Sequence, residues 1–391
     1  MLTNKFQDIE LSRLGFGAMR LPLKADKTID EAQVFEMTDY ALENGINYFD
    51  TAYPYHEGQS EKIIGAALAR HPRDSFYLAT KYPGHQIAPS YDPADIFEKQ
   101  LVKCGVDYFD FYLLHNVCEE SFGVYEDPQW GIIDYFLEQK QLGRIRHLGF
   151  SSHAMPELLE AFLSRHEGEM EFCQIQMNYL DWTLQNARRK YEILTERGIP
   201  VWVMEPLRGG KLANLPASAD AELKKLRPED SAASWAFRWL QGLENVKMVL
   251  SGMSSLDQMK DNVNTYREAS PLSEIEASSL MEIAETMKDS VPCTGCRYCC
   301  DGCPMELNIP FLISAYNEVH YEPNSFTVPM MLDTMPKEKW PTACIACGAC
   351  AHACPQKIDV PKVMSDFSAL LPTLPNWGKV CAERAAAAAK G

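Results

Sequence analysis

The run "YFDFYLLH" at residues 108 to 115 is broken in its apolar and aromatic character only by Asp110 and His115. A strand with one wet face alternates polar and apolar residues, whereas a parallel strand covered on both faces reads as a nearly continuous apolar run. Seven further short runs of this kind are "RLGFGAM" (13 to 19), "INYFD" (46 to 50), "FYLATK" (76 to 81), "RHLGFSS" (146 to 152), "FCQIQMN" (172 to 178), "PVWVMEP" (200 to 206) and "VKMVLSG" (246 to 252). Amphipathic stretches of helical period lie between them. In "TIDEAQVFEMTDYALENG", Thr28 and Glu31 have capping-box spacing and Gly45 is placed to end the helix. Eight strands alternating with helices over about 250 residues predict an α/β fold, a (β/α)8 TIM barrel. A doubly wound sheet is the rival, but no G-x-G-x-x-G follows the first strand.

The chain of 391 residues is longer than one ordinary domain needs, which leaves about a hundred residues beyond the barrel. We read 1–270 as the barrel, 271–290 as a linking helix around "SEIEASSLMEIAETMKD", and 291–391 as a second, small, mainly α-helical domain. The formal net charge of −17 argues against nucleic acid as a partner, because phosphate binding needs a basic footprint. No membrane is expected, since no stretch approaches 18 uninterrupted apolar residues, and the start "MLTNKFQDIELSRLGFG" has no basic n-region or apolar h-region. The expected location is therefore cytoplasmic.

In such a compartment clustered cysteines read as metal ligands and not as disulfides. Cys293, Cys296, Cys299 and Cys303-Pro304 give C-x2-C-x2-C-x3-C-P, and Cys344, Cys347, Cys350 and Cys354-Pro355 repeat it. This is the two-cluster ferredoxin run, in which three close cysteines wrap one 4Fe-4S cluster and the fourth ligates the other. Cluster one is expected on Cys293, Cys296, Cys299 and Cys354, and cluster two on Cys344, Cys347, Cys350 and Cys303. Tetrahedral zinc, bound as a rule by two separated C-x2-C pairs, has no use for this spacing. Cys300 is the spare of the first run. Cys104, Cys118, Cys173 and Cys381 lie outside the pattern as incidental thiols. The long connection between the runs, with "IPFLISAYNEVH" helical and 321 to 343 an irregular excursion, suits the α-helical dicluster type of ferredoxin domain.

Barrel enzymes carry their chemistry at the C-terminal strand ends. Asp50 ends strand two, Lys81 strand three and His115 strand four, and Tyr55 follows Asp50 by five residues. Each alone has an ordinary alternative: a helix cap, a solvated charge, a satisfied loop histidine, an exposed aromatic. Together they suit carbonyl reduction. Hydride addition builds negative charge on the carbonyl oxygen, and a tyrosine hydroxyl can donate the proton that quenches it. A buried ammonium at Lys81 would lower the tyrosine pKa, Asp50 would keep that ammonium charged, and His115 would orient the substrate oxygen.

"FDTAYPYHEGQSE", "LATK" and "YLLHN" resemble the aldo-keto reductase family, and the similarity continues through "RHLGFSSH", "CQIQMNYLD" and "VMEPLRGGKL" over roughly residues 8 to 265. The resemblance implies the tetrad Asp50, Tyr55, Lys81 and His115, with Tyr53 a less well spaced rival for the acid. It further implies an NAD(P) cofactor whose carboxamide is held by Ser151, Ser152 and Gln174, and whose nicotinamide packs on Met204. Ser251, Gln258 and Asn262, in "VLSGMSSLDQMKDN", join the cofactor-binding set. Relatives often carry a base in this stretch for the 2′-phosphate of NADP; here Gly252 and Gln258 stand at the aligned positions and Lys260 is the nearest cation, so NAD becomes a real choice. His56 replaces a glycine and adds bulk or a titrating group beside the pocket. Arg208 reads equally as a pyrophosphate or substrate-carboxylate ligand and as a surface residue on a glycine-flexed loop. With "GAMRLP" and "VPCTGC", the chain also resembles a branch of the family with a C-terminal 4Fe-4S domain.

These readings imply an oxidoreductase that reduces an aldehyde or ketone, or oxidises the alcohol, with NAD(P)(H). The alternative is an electron-transfer or docking protein whose ferredoxin domain serves a redox partner protein, the clusters being structural or sensing toward the barrel. Loops at 116 to 131 and 321 to 343 are expected to set the substrate.

Overall fold

The computed structural model describes all residues except 87–89, 119–120, 185–186, 288–289, 322–326, 334, 377–378 and 380–391. Parts of both substrate-loop candidates and Cys381 lie outside the described residues. The chain divides into two compact units, Met1–Ala284 and Glu285–Gly391.

The first unit opens with an antiparallel hairpin, β1 (Thr3–Phe6) and β2 (Ile9–Ser12). Eight parallel strands then close into a barrel: β3 (Leu14–Gly17), β4 (Tyr48–Asp50), β5 (Tyr77–Tyr82), β6 (Phe109–Val117), β7 (Ile145–Ser152), β8 (Cys173–Gln176), β9 (Val201–Met204) and β10 (Val246–Ser251). They run in sequence order around the barrel, and β10 pairs with β3 to complete it. All nine residues of β6 are buried, as its apolar run requires. Helices between successive strands cover the outside. The fold is thus the expected (β/α)8 barrel.

The hairpin was not visible in the sequence, and it has a packing role. Phe6 at its tip lies 5.1 Å from the Trp202 ring and 5.7 Å from Phe111, in a cluster with Tyr48 and Phe172. An aromatic plug of this kind fills the lower barrel and leaves the opposite mouth for ligands. One local expectation is corrected. The helix Glu31–Glu43 is capped by Asp30, which accepts from the Gln33 N–H, whereas Thr28 donates to Asp26 in a turn tied by the Leu23–Ile29 bridge. Asp30 is as good a cap and lies two residues beyond Thr28, directly before the first helical residue. Gly45 takes the left-handed conformation (φ 84°) that stops this helix.

In the second unit, helices Ile309–Tyr321 and Val360–Leu370 pack around a core that includes Leu312, Ile313, Met364 and Phe367. The excursion after residue 321 is less irregular than expected. Thr327–Asp333 is helical, Val328 and Leu332 join this core, and Trp340 Nε1 donates to the Leu332 and Met335 carbonyls.

The unit is built twice, with an offset of 51 residues (344 minus 293). Left-handed backbone recurs at Gly295 and Ala346, Arg297 and Gly348, and Glu306 and Lys357. The Glu306 N–H donates to the Cys303 carbonyl at 2.8 Å, as Lys357 does to Cys354 at 3.0 Å, and the two helices begin at equivalent residues, Ile309 and Val360. Left-handed φ at Arg297, Glu306, Ala346 and Lys357 costs each of these non-glycine residues conformational energy. The same turns are imposed on two different sequences, so it is the loop path around the cysteines that is being kept.

Candidate active site and cysteine cavities

The sequence-predicted barrel residues fall on one end of the barrel. Asp50 closes β4, Lys81 and His115 lie within two residues of the ends of β5 and β6, Ser151 and Ser152 end β7, and Met204 and Ser251 end β9 and β10. Lys81 is fully buried and Asp50 is 3% exposed; Lys81 Nζ donates to Asp50 Oδ1 at 2.5 Å and to the Thr51 carbonyl at 2.8 Å. Burial pushes the Lys81 ammonium down and the Asp50 carboxyl up, and their mutual attraction opposes both shifts.

Lys81 Nζ lies 5.1 Å from the Tyr55 ring centroid, and Tyr55 meets the His115 ring edge-on at 5.8 Å. Tyr55 sits in a loop folded back on itself, with its carbonyl accepting from the N–H groups of Gly58 and Ser60. Tyr53 is placed elsewhere, its ring 3.9 Å from the Lys103 ammonium. His56 is tied down: its Nε2 accepts from the Leu21 N–H at 3.2 Å, and burial lowers its pKa. It therefore acts as a tie that fixes the tyrosine loop to the end of β3.

Beneath Lys81 lies a buried polar layer. Glu61 accepts from Thr80 Oγ1 and Gln100 Nε2, both at 2.7 Å, and pairs with Lys103 at 3.1 Å, while Gln100 also donates to the Lys81 carbonyl. This network fixes the backbone of β5 where the lysine emerges.

Sequence reading missed His85. Its ring stands 4.3 Å from that of His115, and burial pushes its pKa down to about 4. His115 is pushed down in turn by burial and by the neighbouring His85, Lys81 and His153. Both imidazoles are neutral near pH 7, so the site offers hydrogen-bonding rings and not a second cation. The signal was present, since His85 follows Lys81 by four residues on the same strand-end loop.

The residues expected to hold a cofactor divide into two groups. Gln174 Oε1 is buried without a hydrogen-bond partner among the described residues, and Gln174 Nε2 lies 3.6 Å from Met204 Sδ. Ser151, paired in register with Gln174, accepts from the Asn116 N–H at 2.8 Å and keeps its own proton to donate. A buried acceptor and a hydroxyl donor side by side fit a carboxamide, which offers both N–H and C=O. Ser152 is already engaged, donating to the Val117 carbonyl and accepting from the Ala154 N–H.

In the last loop Asn262 Nδ2 donates to Ser251 Oγ at 3.0 Å, and Gln258 Oε1 accepts from the Ser254 N–H. The stem of Arg20 lies against Gly252, and its guanidinium pairs with Glu205 at 3.1 Å. Arg208 is not the surface residue of the alternative reading. It is 1% exposed, and its Nε donates to Asp181 Oδ1 at 2.9 Å.

Among the described residues of the second unit the cysteines line two cavities. One, with about 300 Å³ of empty volume, is lined by Cys293, Cys296, Cys299 and Cys354; the other, about 340 Å³, by Cys303, Cys344, Cys347 and Cys350. Each draws three cysteines from one run and one from the other, and Cys300 lines neither. Among the described residues no group of three or more His, Cys, Asp or Glu converges as a single metal ion requires. A cubane is larger than an ion and takes one thiolate at each of four iron corners, so sulfurs spread around a cavity wall suit it. Burial, with Cys293 and Cys354 close by, pushes the Cys296 thiol up to about 12, and burial likewise raises Cys350 to about 11. Crowded thiols of this kind lose their protons only to a cationic centre that replaces them.

Residues 13–285 match the aldo/keto reductase family profile, and residues 292–358 match that of a 4Fe-4S dicluster domain. An uncharacterized oxidoreductase of Bacillus subtilis is 27% identical over 303 residues, covering 70% of this chain and 92% of that protein. An NADH-specific methylglyoxal reductase of Escherichia coli is 25% identical over 326 residues, covering 72% and 97%. Among solved structures, an aldo-keto reductase of Bacillus halodurans in its holo form superposes with a TM-score of 0.59 at 28% identity, over 72% of this chain and 96% of its own. With the barrel and more than half of the chain matched together, this protein belongs to the aldo/keto reductase family and carries a ferredoxin-like 4Fe-4S domain C-terminal to the barrel in sequence.

Proposed function

We propose that the chain reduces a small aldehyde or ketone with NAD(P)H, or oxidises the corresponding alcohol, with Tyr55 as proton donor and two 4Fe-4S clusters held in the second unit. The observation that carries this reading is the buried Lys81–Asp50 pair set beside the Tyr55 ring. Nicotinamide, when bound, supplies or takes the hydride. Tyr55 gives its hydroxyl proton to the carbonyl oxygen as charge develops there. Lys81, kept charged by Asp50, stabilises the phenolate left behind, and a neutral His115 holds the substrate oxygen in line. Gln174 and Ser151 would orient the carboxamide, with Met204 against the ring.

Three features favour NAD over NADP. Gly252 has no side chain and Gln258, whose Oε1 accepts from the Ser254 N–H, carries no charge, while Arg20, which lies against Gly252, is paired with Glu205. The NADH-specific methylglyoxal reductase of Escherichia coli makes small 2-oxoaldehydes the first substrates to try. A hydride moves two electrons and each cluster moves one, so the clusters are set outside the hydride path. No helix among the described residues is long and apolar enough to cross a membrane.

The test is anaerobic mixing of the iron-loaded chain with NADH, then with a panel of aldehydes and ketones. Equimolar NADH oxidation and alcohol formation, with the cluster absorbance unchanged, is the expected result. Bleaching of the clusters by NADH with no carbonyl turned over would overturn it.

A further inference from the structure

The two cysteine cavities are equivalent in backbone and unequal in lining, and the difference has one sense. Where cavity one, that of Cys293, Cys296, Cys299 and Cys354, presents Thr294, the position 51 residues on in cavity two is Ile345. Where cavity one presents Gln356, its counterpart in cavity two is Met305. Arg297 lines cavity one, and its counterpart Gly348 contributes no side chain to cavity two. The aliphatic positions, by contrast, are kept: Ile313 answers Met364, and Ile358 answers Leu307. Three polar groups, one a full positive charge, have thus been placed around one cavity of a repeated pair.

Thr294 and loop N–H groups are held toward the sulfurs, while Arg297 stands at the cavity edge with an exposed side chain. Thr294 is buried and its hydroxyl donates to Cys296, as does the Tyr298 N–H. The Gly295 N–H donates to Cys293 Sγ at 3.4 Å. Arg297 is anchored by its Nη1 donating to Asn308 Oδ1 at 3.1 Å, and its left-handed backbone turns it at this point of the loop.

A 4Fe-4S cluster with four thiolates is already anionic, and reduction adds one further negative charge. Nearby positive charge and donors aimed at sulfur stabilise the reduced form more than the oxidised form and so raise the potential. Cys347 of cavity two is exposed, and solvent there acts in the same direction on cluster two. Buried Thr294 and the Tyr298 N–H need no reorganisation when the electron arrives, and Arg297, exposed and so partly screened, adds a positive charge that cavity two lacks; together they outweigh one wet sulfur.

We infer that the two clusters are not redox-equivalent: the cluster on Cys293, Cys296, Cys299 and Cys354 has the higher potential, and a single electron entering the second unit settles there. This rests on the cluster reading of the proposed function, and the test separates the two. The anaerobically reconstituted full chain is titrated potentiometrically and followed by electron paramagnetic resonance, with iron and acid-labile sulfide measured on the same sample. About eight irons per chain are expected for two cubanes. The spectra should give two midpoints differing by at least tenfold in reduction equilibrium, about 59 mV for a one-electron couple. Arg297→Gly, which suits the left-handed backbone, should lower the upper midpoint and leave the lower one in place. Arg297→Lys should keep the upper midpoint, and Ile345→Thr should raise only the lower. One common midpoint at full iron content, or movement of the lower midpoint by Arg297→Gly, overturns the asymmetry alone. Iron far below about eight per chain overturns the cluster reading and the asymmetry with it.

Discussion

Lys81 Nζ donates to Asp50 Oδ1 at 2.5 Å, with the lysine fully buried and the aspartate nearly so. Removing one member of such a pair leaves the other as an uncompensated buried charge, which costs about 3–5 kcal/mol. Lys81→Met should therefore lower the melting temperature markedly. The double variant Lys81→Met, Asp50→Leu should regain most of that loss while carbonyl reduction stays abolished. Thermal denaturation of the three proteins checks this, and a single variant as stable as the parent would contradict it.

His85 and His153 are pushed down to about 4 and about 3, chiefly by burial. His85 faces the His115 ring, Lys81 acts on His115, and Lys190 and His85 act on His153. A base with a depressed folded pKa leaves the unfolded chain binding more protons, so its contribution is fully present above pH 6.5 and is lost as pH falls from 6.5 toward 4. Denaturant midpoints measured across that window should fall with pH, and His85→Gln should flatten the slope. The rate of carbonyl reduction should show no inflection at 6.5, since His85 and His115 remain neutral there.

Arg227 holds Glu276 through Nε–Oε1 at 2.6 Å and Nη2–Oε2 at 3.0 Å, which with Ser273 keeps this carboxyl down to about 2. The pair fastens helix Glu274–Thr286 to the barrel unit. For an acid with a depressed pKa the contribution is complete above about 4.5 and is lost as pH falls toward 2. With allowance for solvent screening it is on the order of 1 kcal/mol. Glu276→Gln should be less stable than the parent at pH 7, with the gap closing in acid.

The sharing of ligands between the cysteine runs gives a further prediction. Cys354 belongs to the second run by sequence and to the first cavity by position. Cys354→Ser should therefore disturb the cluster on Cys293, Cys296 and Cys299 and spare the other, and Cys303→Ser should do the reverse. Spectra of the two variants at matched iron content decide it, and damage confined to the run that carries the mutation would contradict the account.

The barrel was legible because its strands are buried on both faces, so runs such as Phe109–Val117 announce themselves without any periodicity. Asp50, Lys81 and His115 were legible as candidates because they stand at strand ends, with Tyr55 in the loop that follows Asp50. The cysteine runs were legible because cluster ligation fixes their spacing. What was hidden depends on contacts between distant residues. The hairpin Thr3–Phe6 and Ile9–Ser12 is too short and too polar on one face to stand out, and its purpose appears only when Phe6 meets Trp202 and Phe111. Arg208 reads equally as an anion ligand and as a surface residue until Asp181, 27 residues earlier, is seen to meet it. The unequal linings of the two cysteine cavities needed the fold to say which residues face which sulfurs.

Proton donation by Tyr55 is tested most directly by steady-state reduction of the aldehyde and ketone panel by Tyr55→Phe, with nicotinamide binding measured alongside. The account predicts a fall in kcat of about 10²-fold or more, in the range expected for loss of a general acid, with cofactor affinity and iron content unchanged. Undiminished turnover by Tyr55→Phe would contradict it.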